Sequence, residues 1–347
     1  MSLAIRRASL AQDKQQMVEL LDRNITGGIQ RGQFEWRHEA NPAGAGWSWI
    51  IYEKHNGAPV AMASVFPRNM YLCGKPIVCG QVGDFVVDAP YRSLGPAVML
   101  QRATFEPVNS GVFPFCYDCP PHDQGMSTFV RLGMRPNCEI GRHVLPLRTD
   151  EFVEKKLGNG VWTKPLVAAS NLALKLRVAN RTTPGLEIAE FDGVFDEEFS
   201  HLDKAVPSPR AIRASRSAAD LNWRYRKNPV FDLRVLVARR KGELVGFLSY
   251  LLFARRASIV DVFGRDLAQV GITLLEAAIA ECRRRNLTSL EGYCSPESEL
   301  SRLFKEIGFR LRHRAVLIVA YAKPGDPLGA QLSSDLNWAF NQVEIMS

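Results

Sequence analysis

Apolar positions along this chain fall into short alternating runs separated by stretches with a three- to four-residue period, the patterns of strands and amphipathic helices. Residues 3–6 predict a strand and residues 10–22 a helix on which Val18, Leu20 and Leu21 share one face imperfectly. Residues 47–53 and 60–66 predict two strands turned by Asn56-Gly57, a strong hairpin dipeptide. Residues 70–73 and 77–88 predict another hairpin across Gly74-Lys75. A helix from Gly95, a strand at 112–117, a helix at 124–132 and a strand at 142–147 complete this half of the chain. Strands then recur near 187–191, 233–239, 244–253 and 258–263, followed by a helix with Ile272, Leu275, Ile279 and Cys282 on one stripe.

The recurrence extends to residues. Trp36-Arg37-His38-Glu39-Ala40-Asn41-Pro42 and Trp223-Arg224-Tyr225-Arg226-Lys227-Asn228-Pro229 share W-R-x-x-x-N-P. In the same order, Asn56-Gly57 corresponds to Lys241-Gly242, Cys119-Pro120 to Cys294-Ser295, and the Phe129–Gly133 segment to the one from Phe304 to Gly308. Such ordered self-similarity indicates two copies of one unit. The repeated tryptophan motif is read as core and turn chemistry, not as a ligand platform. The expected organisation is a first domain at 1–148, a linker with a helix at 149–184, a second domain at 185–323 and a tail at 324–347. Within that linker, 166–178 is expected to pack across the two domains, although Trp162 and nearby basic residues would also suit a membrane-surface helix.

Composition adds limits. At 347 residues the chain has room for about two domains of ~100–200 residues. Its residues are 46% hydrophobic and 23% charged, with no run near the ~20 apolar residues that span a bilayer. An odd count of seven scattered cysteines, and an N-terminus without an apolar signal core, point to the cytosol and away from a disulfide framework. Net charge is +8, partly from basic clusters at 239–241, 283–285 and 310–314. This field would attract many anions, but no nucleic-acid-binding motif accompanies it, so nucleic acid is not the expected partner. Cys116-Tyr117-Asp118-Cys119 spells C-x-x-C near His122, yet no second pair completes a zinc site and Pro120-Pro121 suits no redox helix. No metal is expected.

The segment most specific for function runs from Phe85 to Ala97. Apolar strand residues lead through Asp88-Ala89-Pro90 into a helix whose first turn is stripped of bulk at Gly95 and Ala97. A helix start carries unpaired N–H groups and partial positive charge, so bare backbone there invites an anion. The spacing is neither the Rossmann fingerprint nor a P-loop. Arg92-x-x-Gly95-x-Ala97, preceded by the strand and the Val87-Asp88-Ala89-Pro90-Tyr91 turn, resembles the acyl-CoA-binding signature Q/R-x-x-G-x-G/A of the GCN5-related N-acetyltransferases (GNAT superfamily). One departure is Pro96, which has no N–H to give.

The resemblance implies an α/β fold with a mixed sheet, here two tandem GNAT-like folds. It also implies an enzyme that transfers an acyl group, expected to be acetyl from acetyl-CoA, to an acceptor amine by direct attack on the thioester. On that mapping the backbone of Val86 and Val87 meets the pantetheine arm, while Arg92 and the amides of Ser93, Leu94, Gly95 and Ala97 hold the pyrophosphate. Asp84 takes the place of the acidic residue that accepts the amine proton. The usual tyrosine acid is replaced by Phe129, and by Phe304 in the second copy, leaving Tyr117 as the substitute donor to the thiolate. Aligning Gly271 with Gly95 places Asp266 beside the phosphates, so acyl-CoA is expected only in the first domain. A small-molecule amine such as an amino sugar is the expected acceptor. Two alternatives stay open: a Fem-like aminoacyl transferase using charged tRNA, and a non-catalytic acyl-CoA-binding or regulatory module.

Overall fold

The alternating runs of the first half become β1 (Leu3–Arg7), β2 (Trp47–Glu53), β3 (Pro59–Leu72), β4 (Lys75–Val87), β5 (Phe115–Asp118) and β6 (Cys138–Pro146). Between them lie helices α1 (Leu10–Asn24), α2 (Gln33–His38), α3 (Leu94–Thr104), α4 (Glu106–Asn109) and α5 (Asp123–Arg131). The computed structural model describes residues 2–345 apart from 121–122, 151–152, 154–155, 157, 159–161, 178–182, 209–210 and 335–336. Most of the charged stretch 151–157, and His122, therefore lie outside the described residues. Helix α6 (Thr163–Arg177) falls in the linker segment.

Most strand positions follow the sequence pattern, with one instructive difference. Residues 60–66 and 70–73 form the single strand β3, running through Pro67. Proline is tolerated there because β3 changes neighbours at that point: β2 pairs it up to Val65, and another strand takes over at Met70. The pattern did not announce α2, a six-residue helix that carries the first W-R motif.

The second half contributes β7 (Glu187–Glu190), α7 (Glu197–Ala205), β8 (Ala211–Ala214), α8 (Ala218–Leu221), β9 (Leu233–Arg240), β10 (Glu243–Leu252), β11 (Arg256–Gly264), α9 (Leu267–Arg284), β12 (Ser289–Cys294), α10 (Glu299–Ile307) and β13 (Arg310–Ala322). The chain closes with α11 (Pro327–Ser334), β14 (Asn337–Trp338) and α12 (Gln342–Ile345). Leu275, Ile279 and Cys282 on α9 are buried as their spacing predicts.

The strands join in one mixed sheet ordered β1-β2-β3-β4-β5-β13-β6-β12-β11-β10-β9-β7. The order reads the same from either end once first-half strands are matched to second-half strands, so a pseudo-two-fold axis passes between β13 and β6. The halves exchange their last strands. Strand β13 pairs antiparallel with β5, and β6 pairs antiparallel with β12.

The repeated tryptophans meet on this axis. Their rings stack at 4.7 Å, and each indole N–H donates to the other's backbone carbonyl at 2.8 Å. Both are buried. The reading of W-R-x-x-x-N-P as core chemistry agrees with this reciprocal contact.

Candidate functional site

Strand β4 pairs with β3 along nearly its whole length but with parallel β5 only at Gly80 and Gln81, opposite Cys116 and Tyr117. Beyond Gln81 the two parallel strands diverge, leaving β4 residues 82–87 without a strand partner on that flank. The divergence begins where β4 is irregular: Ser64 pairs with Gly83 and Met62 with Val86, so β4 carries an extra residue. Asp84 sits in this bulge with φ +49.

The free flank leads to the predicted anion cradle. After Val87 the chain turns through residues 88–93 into α3. The turn is fastened to α1, because Asp88 accepts from Arg23 at 2.7 and 2.9 Å and from the Asn24 amide at 2.6 Å. Ser93 donates its own N–H to Tyr91 at 2.7 Å. The helical amides of Leu94 and Gly95 come too early in α3 to find an intrahelical carbonyl, whereas Ala97 lies where the i→i−4 ladder begins. Ser93 caps nothing with its side chain, so these donors are left for a ligand. Gly95 is exposed with an ordinary backbone, and a methyl group there would meet nothing within 4 Å. Glycine is thus not required by the fold at this position. A cavity of about 360 Å³ lined by Pro90, Tyr91, Ser93 and Gly95 lies against the helix start. Arg92 folds back, donating from Nε to the Val87 carbonyl at 3.0 Å and from Nη2 to Asn24 at 3.3 Å.

The two residues expected to carry catalysis lie at the start of the divergence, but both are engaged. The Asp84 carboxylate is buried, ion-paired to Arg37 and bonded to His38 Nε2 at 2.8 Å. Burial pushes its proton affinity up, but the Arg37 charge and the His38 bond outweigh this and hold the carboxyl below its ordinary value. Tyr117 is 1% exposed and donates to the Glu344 carbonyl at 3.1 Å; burial raises its pKa well above the ordinary value. Phe129 is buried in the core between α3, α5 and the sheet.

Sequence reasoning passed over Asp118. It follows Tyr117 directly, where β5 leaves β4, and has no ion-pair partner among the described residues. Loss of solvent raises its pKa from 3.8 to about 7. The available signal was an acidic residue closing an apolar strand, which the C-x-x-C spelling obscured. Burial also pushes the Cys116 and Cys119 thiols up, so neither is poised as a thiolate. Among the described residues no cluster of three or more metal-ligating side chains occurs.

The Asp118 shift has a consequence for stability. Between pH ~4 and ~7 the folded chain keeps this proton while the unfolded chain has released it, so stability falls as pH rises through that window. We expect Asp118→Asn to gain thermal stability relative to wild type as pH climbs from 4.5, levelling off above about 7. Melting curves across that range check this, and a pH-independent difference would refute it.

The second half repeats this geometry with different fittings. Strand β11 pairs with β12 only from Arg256 to Ile259 and then diverges. Asp261, the counterpart of Asp84, is held by Arg216 (3.1 Å from each of Nε and Nη2), Tyr225 (3.1 Å) and Asn341 (2.7 Å). The turn to α9 consists of Arg265 and Asp266 alone, and Gly246 opposite Gly264 lets the helix start press on the strands. A methyl on Gly246 would lie 2.5 Å from Val270. The C-terminal segment enters this divergence: Asn341 bridges Cys294, Phe340 accepts from the Ser295 amide at 2.9 Å, and Glu344 pairs with Arg216 at 2.8 Å. A cavity of about 330 Å³ remains, walled by Arg216, Phe263, Leu267, Phe340 and Asn341 among others.

A mixed sheet whose bulged fourth strand diverges from the fifth is the frame of the GNAT fold, here present twice, with the bare helix start beyond the divergence only in the first half. Solved structures share it. A probable N-acyltransferase of unknown function from Enterococcus faecalis aligns over 93% of this chain and 73% of its own, with TM-score 0.64 and 10% identity. A GCN5-related N-acetyltransferase from Anabaena variabilis aligns over 92% and 72%, with TM-score 0.64 and 13% identity. N-myristoyltransferase from Saccharomyces cerevisiae, solved with bound myristoyl-CoA, aligns over 93% and 84%, with TM-score 0.55 and 14% identity. No protein-family model matches the sequence, and no curated protein is detectably similar to it. No helix among the described residues is long and apolar enough to cross a membrane.

Proposed function

We propose that the protein is an acyl-CoA-dependent N-acyltransferase whose first half binds the donor, acetyl-CoA in the simplest case, and whose acceptor is a small-molecule amine. The observation that carries this reading is the unpaired flank of β4 beyond Gln81, which leads directly to the exposed α3 start at Gly95. Pantetheine amides would add to β4 as an extra strand does, and the phosphates would take the Leu94 and Gly95 amides. In the first half Val86, Val87, Arg92 and Ala97 border that path; Arg92 would leave the Val87 carbonyl as the donor enters.

Asp118 is assigned the base. With a pKa near 7 it is substantially ionised at neutral pH and suited to accept a proton from the acceptor ammonium. The neutral amine then attacks the thioester carbonyl, a C–N bond forms and the C–S bond breaks; the proton held by Asp118 passes to the departing thiolate, and the nitrogen's surplus proton is then taken by the freed Asp118 carboxylate and released to solvent. Asp84, kept ionised by Arg37 and His38, serves as a positioning residue that fixes the bulge, and Tyr117 fixes Glu344. Phe129 in place of a tyrosine acid favours one second reading, an acyl-CoA-binding module without turnover. Thiol release in the presence of amines separates the two.

The first test is calorimetric titration of acetyl-CoA into wild type and Gly95→Glu. The substitution places a carboxylate at the phosphate position and should weaken binding at least ~10-fold. Because a side chain at 95 meets open space, the melting temperature should not change. Equal binding by both proteins, or no binding by wild type, would overturn the assignment of the donor to this half.

A further inference from the structure

Two buried arginines near the start of the first divergence form no ion pair with any described residue. Arg68, on β3, is 2% exposed. Its Nε donates to the Gln81 side chain at 2.5 Å, its guanidinium lies 4.7 Å from the Trp223 ring, and its Nη1 is buried without a partner. Gln81 is the last β4 residue paired with β5, opposite Tyr117, so Arg68 stands at the point where the strands separate. Arg224 is 8% exposed and forms no hydrogen bond or ion pair with any described residue. The nearby Asp220 carboxylate accepts from the neutral Ser217 and Asn69 side chains at 2.7 and 3.2 Å and is bonded to neither arginine, although its charge reaches Arg68.

The pseudo-symmetry explains how Arg224 came to be free. Its counterpart in the repeat, Arg37, is paired to Asp84. The equivalent acid, Asp261, has been taken by Arg216 and Asn341. An uncompensated guanidinium in the interior is costly, and removal of its carboxylate partner normally calls for another anion. Burial and the Arg224 charge together draw the Arg68 pKa down to about 9, and the nearby Asp220 carboxylate offsets only part of this, so two cations share one acid.

We propose that Arg68 and Arg224 receive a carboxylate of the acceptor, so that the substrate is an amine that also carries a carboxylate, as amino acids and acidic amino sugars do. This rests on the N-acyltransferase reading for the identity of the ligand as acceptor, but the anion site itself stands on the two arginines. A carboxylate anchored beside Gln81 would leave the amine of the same molecule free to reach a donor thioester lying along β4.

The test is made without acyl-CoA, so that it does not depend on the donor site. A panel of free amino acids, each with its α-amide, and of acidic amino sugars, each with a neutral analogue, is titrated into the full-length protein by calorimetry. At least one acid should bind ~10- to 100-fold more tightly than its uncharged partner, and Arg68→Met and Arg224→Gln should each remove that preference. If Arg68→Met does not fold, Arg224→Gln carries the comparison, with its melting temperature measured alongside. Absence of any preference for acids overturns the proposal, as does an acid preference retained in the variants. Acid binding in a protein that fails to bind acetyl-CoA would instead retain the anion site and discard the donor assignment.

Discussion

Replacement of Trp223 by alanine is expected to cost about 3–5 kcal/mol of unfolding free energy, the range for emptying a buried aromatic position. The ring is 3% exposed, stacks on Trp36 and supports the Arg68 guanidinium on its face. Its indole N–H is the donor to the Trp36 carbonyl, which would be left buried without that partner. Trp36→Ala should fall in the same range for the same reasons. Because the two rings touch and trade hydrogen bonds, the double variant should lose less than the two single losses added, with a coupling of about 0.5–3 kcal/mol. Denaturant unfolding of the four proteins measures this directly. Additivity within about 0.5 kcal/mol would mean that the rings do not meet.

Arg216→Met should be comparably severe, at about 3–5 kcal/mol. Arg216 is buried between Asp261 and Glu344 and also donates to the Ala214 carbonyl at 2.6 Å. Removing its charge leaves two carboxylates facing each other without solvent. Neutralising them in the same chain, as Asp261→Asn and Glu344→Gln, should recover part of the loss, since the penalty belongs to the uncompensated charges more than to the missing side chain. Urea unfolding checks both steps. A near-neutral Arg216→Met would show that the C-terminal segment is not seated on the second half.

Much of the fold was legible because it is written locally. Alternation located β2 and the core of β4, helical spacing located the α9 stripe, and Asn56-Gly57 marked a turn. The Arg92–Ala97 signature was legible for the same reason: strand, turn and bare helix start are contiguous. What could not be read depends on distant partners. Nothing in residues 138–146 says that β6 will lie beside β12, since its alternation would suit any neighbouring edge. The pattern separated 60–66 from 70–73, and only the change of neighbours on β3 explains why one strand runs on through Pro67. Asp84 was singled out by its place near the motif, while its ionic partners come from α2, whose six residues carry too little periodicity to announce a helix. Asp118 went unnoticed because its raised proton affinity arises from what packs around it, which spacing does not encode.

The exchange of last strands has a consequence for ancestry and for dissection. Each half lacks an interior strand of its own sheet and finds it in the other, and the tryptophan of one half closes against the tryptophan of the other. This is the geometry of a symmetric swapped dimer held within one polypeptide. Fusion of two such subunits would keep every contact across the axis while freeing each copy to change separately. The divergence between the halves then follows naturally: one retained a bare helix start, and the other admitted the chain's own C-terminal segment. A half-length fragment would carry an unpaired strand edge where its neighbour had been, and a second copy of itself would be its most complementary partner.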